Sequence, residues 1–97
     1  MRVEYHPAVE SELREIIKHY NNCCAGLGNE FLNEFERQVL NIASNPLQWV
    51  EVEHGVRRAL LRRFPYVVYF RIVNKDLLRI TVVKHQRRHP MLGLKRK

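Results

Sequence analysis

The chain has 97 residues, 45% of them hydrophobic, and a formal net charge of +7. That is one domain's worth of sequence, able to bury roughly 60–70% of its unfolded surface without metals or disulfides. It holds no apolar run near the ~18 residues a membrane span needs. Residues 1–56 contain four Lys or Arg and nine acids, and residues 57–97 contain thirteen and one; the balances of −5 and +12 add to +7. An acidic first half joined to so basic a second half suits a polyanionic or acidic partner.

The opening MRVEYHPAVE carries Glu4 and Glu10 and no apolar h-region, so it is not read as a signal peptide. Cys23 and Cys24 are adjacent and have no other cysteine to pair with. They are read as reduced thiols of a cytoplasmic protein, packed at a helix end.

In chain order, residues 1–6 contain the β-prone RVEY, ended at His6-Pro7 because proline has no amide to give a ladder. Val9, Leu13, Ile16, Ile17 and Tyr20 then form a helical stripe, predicting a helix over 8–22. Gly26-Leu27-Gly28 is read as the link to a second helix over 29–44, whose stripe is Phe31, Phe35, Val39 and Ile42. Asn45-Pro46 stops it, since a residue before proline avoids the α region. Residues 46–55 are read as a loop, with Trp49 as a packing residue.

Residues 57–85 are read as a meander of strands at 57–63, 66–73 and 77–85, joined at Phe64-Pro65 and at Asn74-Lys75-Asp76. Residues 86–97 are a basic tail, expected to fray from Met91 onward. The predicted fold is α+β in the order β-α-α-β-β-β, a small antiparallel sheet packed on one face by an antiparallel helical hairpin, in a single domain 1–97. Strict alternation turns Tyr66, Val68, Phe70, Ile72, Leu78, Ile80 and Val82 towards the helices. It sends Tyr69, Arg71, Arg79, Thr81 and His85 to an uncovered face, together with some of Arg57, Arg58, Arg62 and Arg63.

Arginines interleaved with aromatics point to an anionic partner, because the planar guanidinium binds phosphate or carboxylate with two parallel N–H groups. Arg62, Arg63, Arg71, Arg79, His85, Arg87 and Arg88 are the candidate target-binding set. Catalysis on such a face, as in metal-independent RNA cleavage, needs cations for the developing charge and a group that exchanges protons near neutrality. His85 and His89 could exchange such protons and Arg87 and Arg88 could stabilise the anion; Arg62, Arg63, His85 and Arg88 are the candidate catalytic residues if the chain is a ribonuclease. No metal or cofactor is expected: the five histidines are scattered, the cysteines lack ligand spacing, and no phosphate-cradling glycine loop or nucleophile elbow is present.

Three stretches, YHPAVESELREI, FLNEFERQVLNIASNPLQW and VRRALLRRFPYVVYFRI followed by LLRITVVKHQRRHP, resemble in order and spacing the RelE/ParE superfamily of type II toxin–antitoxin toxins. The resemblance spans nearly the whole chain. It implies a toxin of β-α-α-β-β-β fold and an acidic, partly disordered antitoxin expressed from the same operon. RelE-like members cut mRNA on the ribosome with basic sheet residues and, in many, a C-terminal tyrosine, whereas ParE-like members poison DNA gyrase. Here Val67 stands where the ribonucleases place an arginine, and no tyrosine follows Tyr69. His85 and Arg88 form an H-x-x-R pattern closer to the ParE branch. The resemblance therefore implies gyrase inhibition, with ribosome-dependent mRNA cleavage as the alternative. Leu13, Ile17, Tyr20, Phe31 and Phe35 are the expected antitoxin contacts wherever they are not spent on the core.

Overall fold

The computed structural model describes all residues, Met1–Lys97. Strand β1 (Arg2–Tyr5) leads into helix α1 (Pro7–Cys23), and helix α2 (Leu27–Ser44) follows. A 3-10 turn at Pro46–Gln48 precedes β2 (Glu51–Glu53), β3 (Val56–Leu60), β4 (Tyr66–Asn74) and β5 (Leu77–His85). The sheet order is β1-β5-β4-β3-β2. β1 runs parallel to β5 on one edge, and the remaining neighbours are antiparallel.

Both helices start where local chemistry directs. Pro7 occupies the first turn of α1, where its missing N–H costs nothing, and the His6 Nδ1 accepts the Ala8 N–H at 3.0 Å. The hairpin turn is Cys24-Ala25-Gly26, earlier than the Gly26-Leu27-Gly28 link expected. Gly28 lies inside α2 instead, packed closely against α1. A Cβ there would come within 2.3 Å of the Ile17 carbonyl oxygen, and the Gly28 N–H donates to the Asn21 Oδ1 at 2.8 Å.

The main core lies between the helices and one sheet face. Val9, Ile16, Phe31, Phe35, Val39 and Ile42 meet Val68, Phe70, Leu78, Ile80 and Val83 there. Phe31 and Phe35 are 0% and 1% exposed. This corrects their candidacy as antitoxin contacts: both are wholly spent on the core. Leu13, Ile17 and Tyr20 pack at its margin and stay partly exposed.

Three departures from the sequence expectation have physical causes. Residues 46–55 include β2, whose Glu51 pairs with Arg57 across the turn at His54-Gly55. The first meander strand is shorter than 57–63, because Leu61 and Phe64 turn into the core. The alternation in β5 slips at Thr81: Tyr69 pairs with Val82 but Phe70 pairs with Ile80, leaving Thr81 as an extra bulged residue. Its hydroxyl donates to the Tyr69 carbonyl at 3.3 Å. Beyond the bulge every side chain changes face. Val83, not Val82, meets the helices, and His85, paired with Tyr66, lies on the helix side rather than the opposite face.

The opposite sheet face is covered, not open. Val56, Val67, Tyr69 and Val82 pack against Leu94 of the tail, which is buried. The expected fraying beyond Met91 is therefore also corrected.

Candidate functional site

The cationic residues fall into two groups with different fates. One group fastens the tail. Arg71 donates through Nε to the Arg96 carbonyl and through Nη2 to the Leu94 carbonyl, both at 3.0 Å. Arg79 is ion-paired with Glu4 and reaches the Lys97 carbonyl at 3.2 Å. Arg96 returns across the sheet to Glu12 of α1 at 2.7 Å and to the Thr81 carbonyl at 2.9 Å. Glu12 uses its other oxygen to accept the Val83 N–H at 3.1 Å. Arg71 and Arg79, candidates for an open anion-binding face, are thus engaged inside the molecule.

Lys84 is the centre of this fastening. The bulge turns it to the tail side, where it is only 6% exposed. Its ammonium lies over the Tyr69 ring and donates to the carbonyls of His89, Pro90 and Leu92. Loss of hydration, reinforced by the nearby Arg88 charge, lowers its pKa from the ordinary 10.5. Three carbonyl partners and an aromatic face offset that penalty.

The second group is the basic end of the sheet, where the β3–β4 loop meets the turn after β5. The Gln86 N–H donates to the Pro65 carbonyl at 2.8 Å, closing the two segments on each other. The Arg62 and Arg63 amides both donate to the Glu34 Oε2, at 2.7 and 3.1 Å, and the Arg63 guanidinium pairs with Glu30 at 2.7 Å. These bonds hold the loop against α2. In the turn after β5, the His85 Nδ1 accepts the Arg87 N–H at 3.0 Å, and the His85 ring stands edge-on to Tyr66 at 5.2 Å. Burial raises the Tyr66 phenol above its ordinary 10.0, against the opposing pull of the Tyr20 hydroxyl and the Arg88 charge. The guanidiniums of Arg58, Arg62, Arg87 and Arg88 make no hydrogen bond or ion pair and are exposed.

Three grooves border this end. One of about 730 Å³ runs between α2 and β3 and includes Glu34, Arg37, Trp49, Arg58 and Arg62. One of about 380 Å³, on the helix side of the last turn, includes Glu15, His19, Tyr66, His85 and Arg88. The third, about 240 Å³ on the tail side, includes Arg58, Lys84 and Arg88. Arg62 and His85 never share a groove, and Arg63 lines none of the three. Of the four ribonuclease candidates, His85 and Arg88 line one groove, Arg62 lines another beside α2, and Arg63 is tied to Glu30. No cluster of three or more His, Cys, Asp or Glu is placed to hold a metal ion. Two residues gain importance beyond the sequence reading. Arg58 emerges as an unpaired cation on the tail face, and Lys84 as the tail's anchor. The Arg-rich β3 segment signals the first; nothing in residue type signals the second.

The family model for the ParE toxin of the type II toxin–antitoxin system, parDE, matches residues 3–90. The chain belongs to the ParE toxin family. Its fold also matches a solved chain of the chromosomal ParDE toxin–antitoxin system from P. aeruginosa, with a TM-score of 0.76 at 19% identity. That match covers 88% of this chain and 95% of the other. No curated protein matches in sequence. The family match extends from β1 through the turn after β5, so His85, Arg87 and Arg88 lie within the matched region and residues 91–97 lie beyond it.

Proposed function

We propose that this ParE-family toxin inhibits growth by binding DNA gyrase and is held inactive by a co-expressed antitoxin. The family match over residues 3–90 carries the reading. The engagement of Arg63 by Glu30 and of the His85 Nδ1 by the Arg87 N–H supports binding over cleavage, since proton transfer and charge stabilisation need those groups free around one reacting phosphate. The exposed, unpaired guanidiniums of Arg62, Arg87 and Arg88 are then contacts that steer the toxin to its target.

For the antitoxin, the large groove beside α2 supports an amphipathic acidic segment. Its lining pairs apolar Trp49, Val50 and Leu60 with three arginines and a single carboxylate, Glu34. Val50 and Leu60 are 61% and 47% exposed, so a partner has apolar surface to bury. Leu13, Ile17 and Tyr20 offer a second, partly exposed strip on the hairpin.

The reading is tested by inducing the chain without its antitoxin, mapping mRNA 5′ ends and assaying gyrase–DNA cleavage complexes in the same cells. Trapped gyrase complexes with intact mRNA are expected. New codon-linked mRNA ends with unperturbed gyrase would replace this reading with the ribosome-dependent endoribonuclease, the alternative that the RelE/ParE resemblance implies.

A further inference from the structure

The small groove on the tail side has a composition unlike the other two. Arg58 of β3, Lys84 of β5 and Arg88 of the following turn line it, and no carboxylate does. The neighbouring grooves each contain acids, Glu34 in one and Glu12 with Glu15 in the other. Arg58 is set on this face by its cross-strand pairing with Tyr69, and Lys84 by pairing with Val67. Tyr69 and Val67 form a rigid apolar floor, both buried.

The chemistry of the lining is one-sided. Lys84 has no N–H to spare, because three carbonyls take them, so it contributes charge and not a donor. Arg58 and Arg88 keep all their guanidinium donors free. The Tyr69 hydroxyl is already committed to the Pro90 carbonyl at 3.2 Å. The groove lies on the face of β3, β4 and β5, floored by Val67 and Tyr69, so an occupant rests on the sheet and does not extend it. An acidic peptide would bring an N–H at every residue into a lining whose one side-chain amide with a free acceptor is Gln86. A phosphodiester backbone brings only acceptors, and its repeating charge matches two separated guanidiniums around a buried ammonium.

We propose that the groove formed by Arg58, Lys84 and Arg88 is a binding site for a phosphodiester backbone, gripped by the two arginines without base recognition. The Tyr69 ring is covered by Lys84 and offers no stacking platform, so affinity is independent of sequence. The site is a property of the free chain and stands or falls separately from the identity of the toxin's protein target.

The test measures fluorescence anisotropy of labelled single-stranded DNA and of RNA with the same sequence, titrated with the purified chain over a range of salt. Arg58→Gln with Arg88→Gln is compared with Arg14→Ala with Lys18→Ala, which removes the same charge from the exposed face of α1. Both pairs are exposed surface changes, and thermal melting checks that each folds. The groove pair is expected to weaken binding at least about tenfold and to flatten the log–log salt slope by about 1.4 for single strands. The control pair is expected to lose less than about threefold. Loss with DNA, RNA or both supports the site and identifies which backbone it takes. Equal losses in the two pairs, or no loss with either nucleic acid, would overturn it. So would an oligoglutamate of matched charge that competes as well as the oligonucleotide.

Discussion

The Lys84 ammonium sits 4.7 Å from the centre of the Tyr69 ring and gives its N–H groups to the His89, Pro90 and Leu92 carbonyls at 2.8, 3.2 and 2.7 Å. One buried cation thus binds three main-chain carbonyls within residues 89–92, a segment with no strand or helix of its own. Lys84→Met keeps the length of the side chain and removes every donor. The Leu92 carbonyl is then left without a donor, while His89 keeps the Leu92 N–H and Pro90 the Tyr69 hydroxyl, and the loosened hold favours a hydrated, released tail. We expect hydrogen exchange of residues 86–97 to accelerate sharply and stability to urea to fall by about 1–3 kcal/mol. Unchanged protection in the tail would show that Leu94 and Arg71 suffice to hold it.

Gly93 isolates the steric side of the same docking. It has φ +83°, and a Cβ would stand 2.6 Å from the Val82 Cγ2. Gly26 has nearly the same φ, +86°, with nothing within 4 Å of its Cβ position. Gly26→Ala therefore carries backbone strain alone, about 1–2 kcal/mol. Gly93→Ala adds a collision with a buried strand, and we expect it to cost about 1–2 kcal/mol more. Equal melting temperatures for the two variants would remove the tail–sheet contact from the account.

Much of this architecture is legible in residue order. The helical stripes place Val9, Ile16, Phe31, Phe35, Val39 and Ile42, and alternation places Val68, Phe70, Leu78 and Ile80. The slip at Thr81 is not legible, because Thr81-Val82-Val83 is β-prone throughout and suits either face. β2 hides for the opposite reason: Glu51-Val52-Glu53 is too short and too acidic to stand out as a strand, and Gly55 alone marks its turn. The tail's order is the least visible. It depends on arginine and lysine side chains donating to main-chain carbonyls, which any sequence provides. Hence the charge pattern identifies a basic surface but cannot divide cations that bind a partner from cations that bind the chain itself.

Glu12 links three elements, taking the Val83 N–H with one oxygen and Arg96 with the other. Glu12→Gln keeps an acceptor for the Val83 N–H and loses the ion pair; Glu12→Ala loses both. We expect costs of about 1 kcal/mol and about 2–3 kcal/mol respectively, read from urea midpoints. A Gln variant as unstable as the Ala variant would assign the whole effect to charge.

All four phenols, Tyr5, Tyr20, Tyr66 and Tyr69, are raised above the ordinary 10.0, chiefly by burial. The native state therefore keeps protons that the unfolded chain has lost. Their stabilising contribution is complete below pH ~10 and declines as pH climbs through the higher native values. Lys84, lowered from 10.5, works in the opposite direction: approaching that pH the native state holds fewer protons there, which favours folding. Four phenols against one ammonium leave a net loss in alkali. Urea stability should drop above about pH 10, with phenolate absorbance of the intact fold lagging behind that of the unfolded chain. Phenolate formation at the unfolded midpoint in the intact fold would contradict this.

The division between binding and catalysis is testable at the last turn. Arg87 and Arg88 are exposed and unpaired, while His85 already accepts the Arg87 N–H. If the toxin acts by association, each contact contributes part of the interaction and none is indispensable. Arg87→Glu and Arg88→Glu should each weaken gyrase poisoning by about three- to tenfold, with the double variant weaker than either and more salt-sensitive. His85→Ala should cost no more than one such contact. A histidine that transfers a proton behaves differently: its loss typically removes about 10²–10⁴-fold of the rate. Measuring growth arrest and gyrase cleavage complexes across this series separates the two. A graded series belongs to a binding surface, whereas an all-or-none effect confined to His85, with the fold intact, belongs to an enzyme.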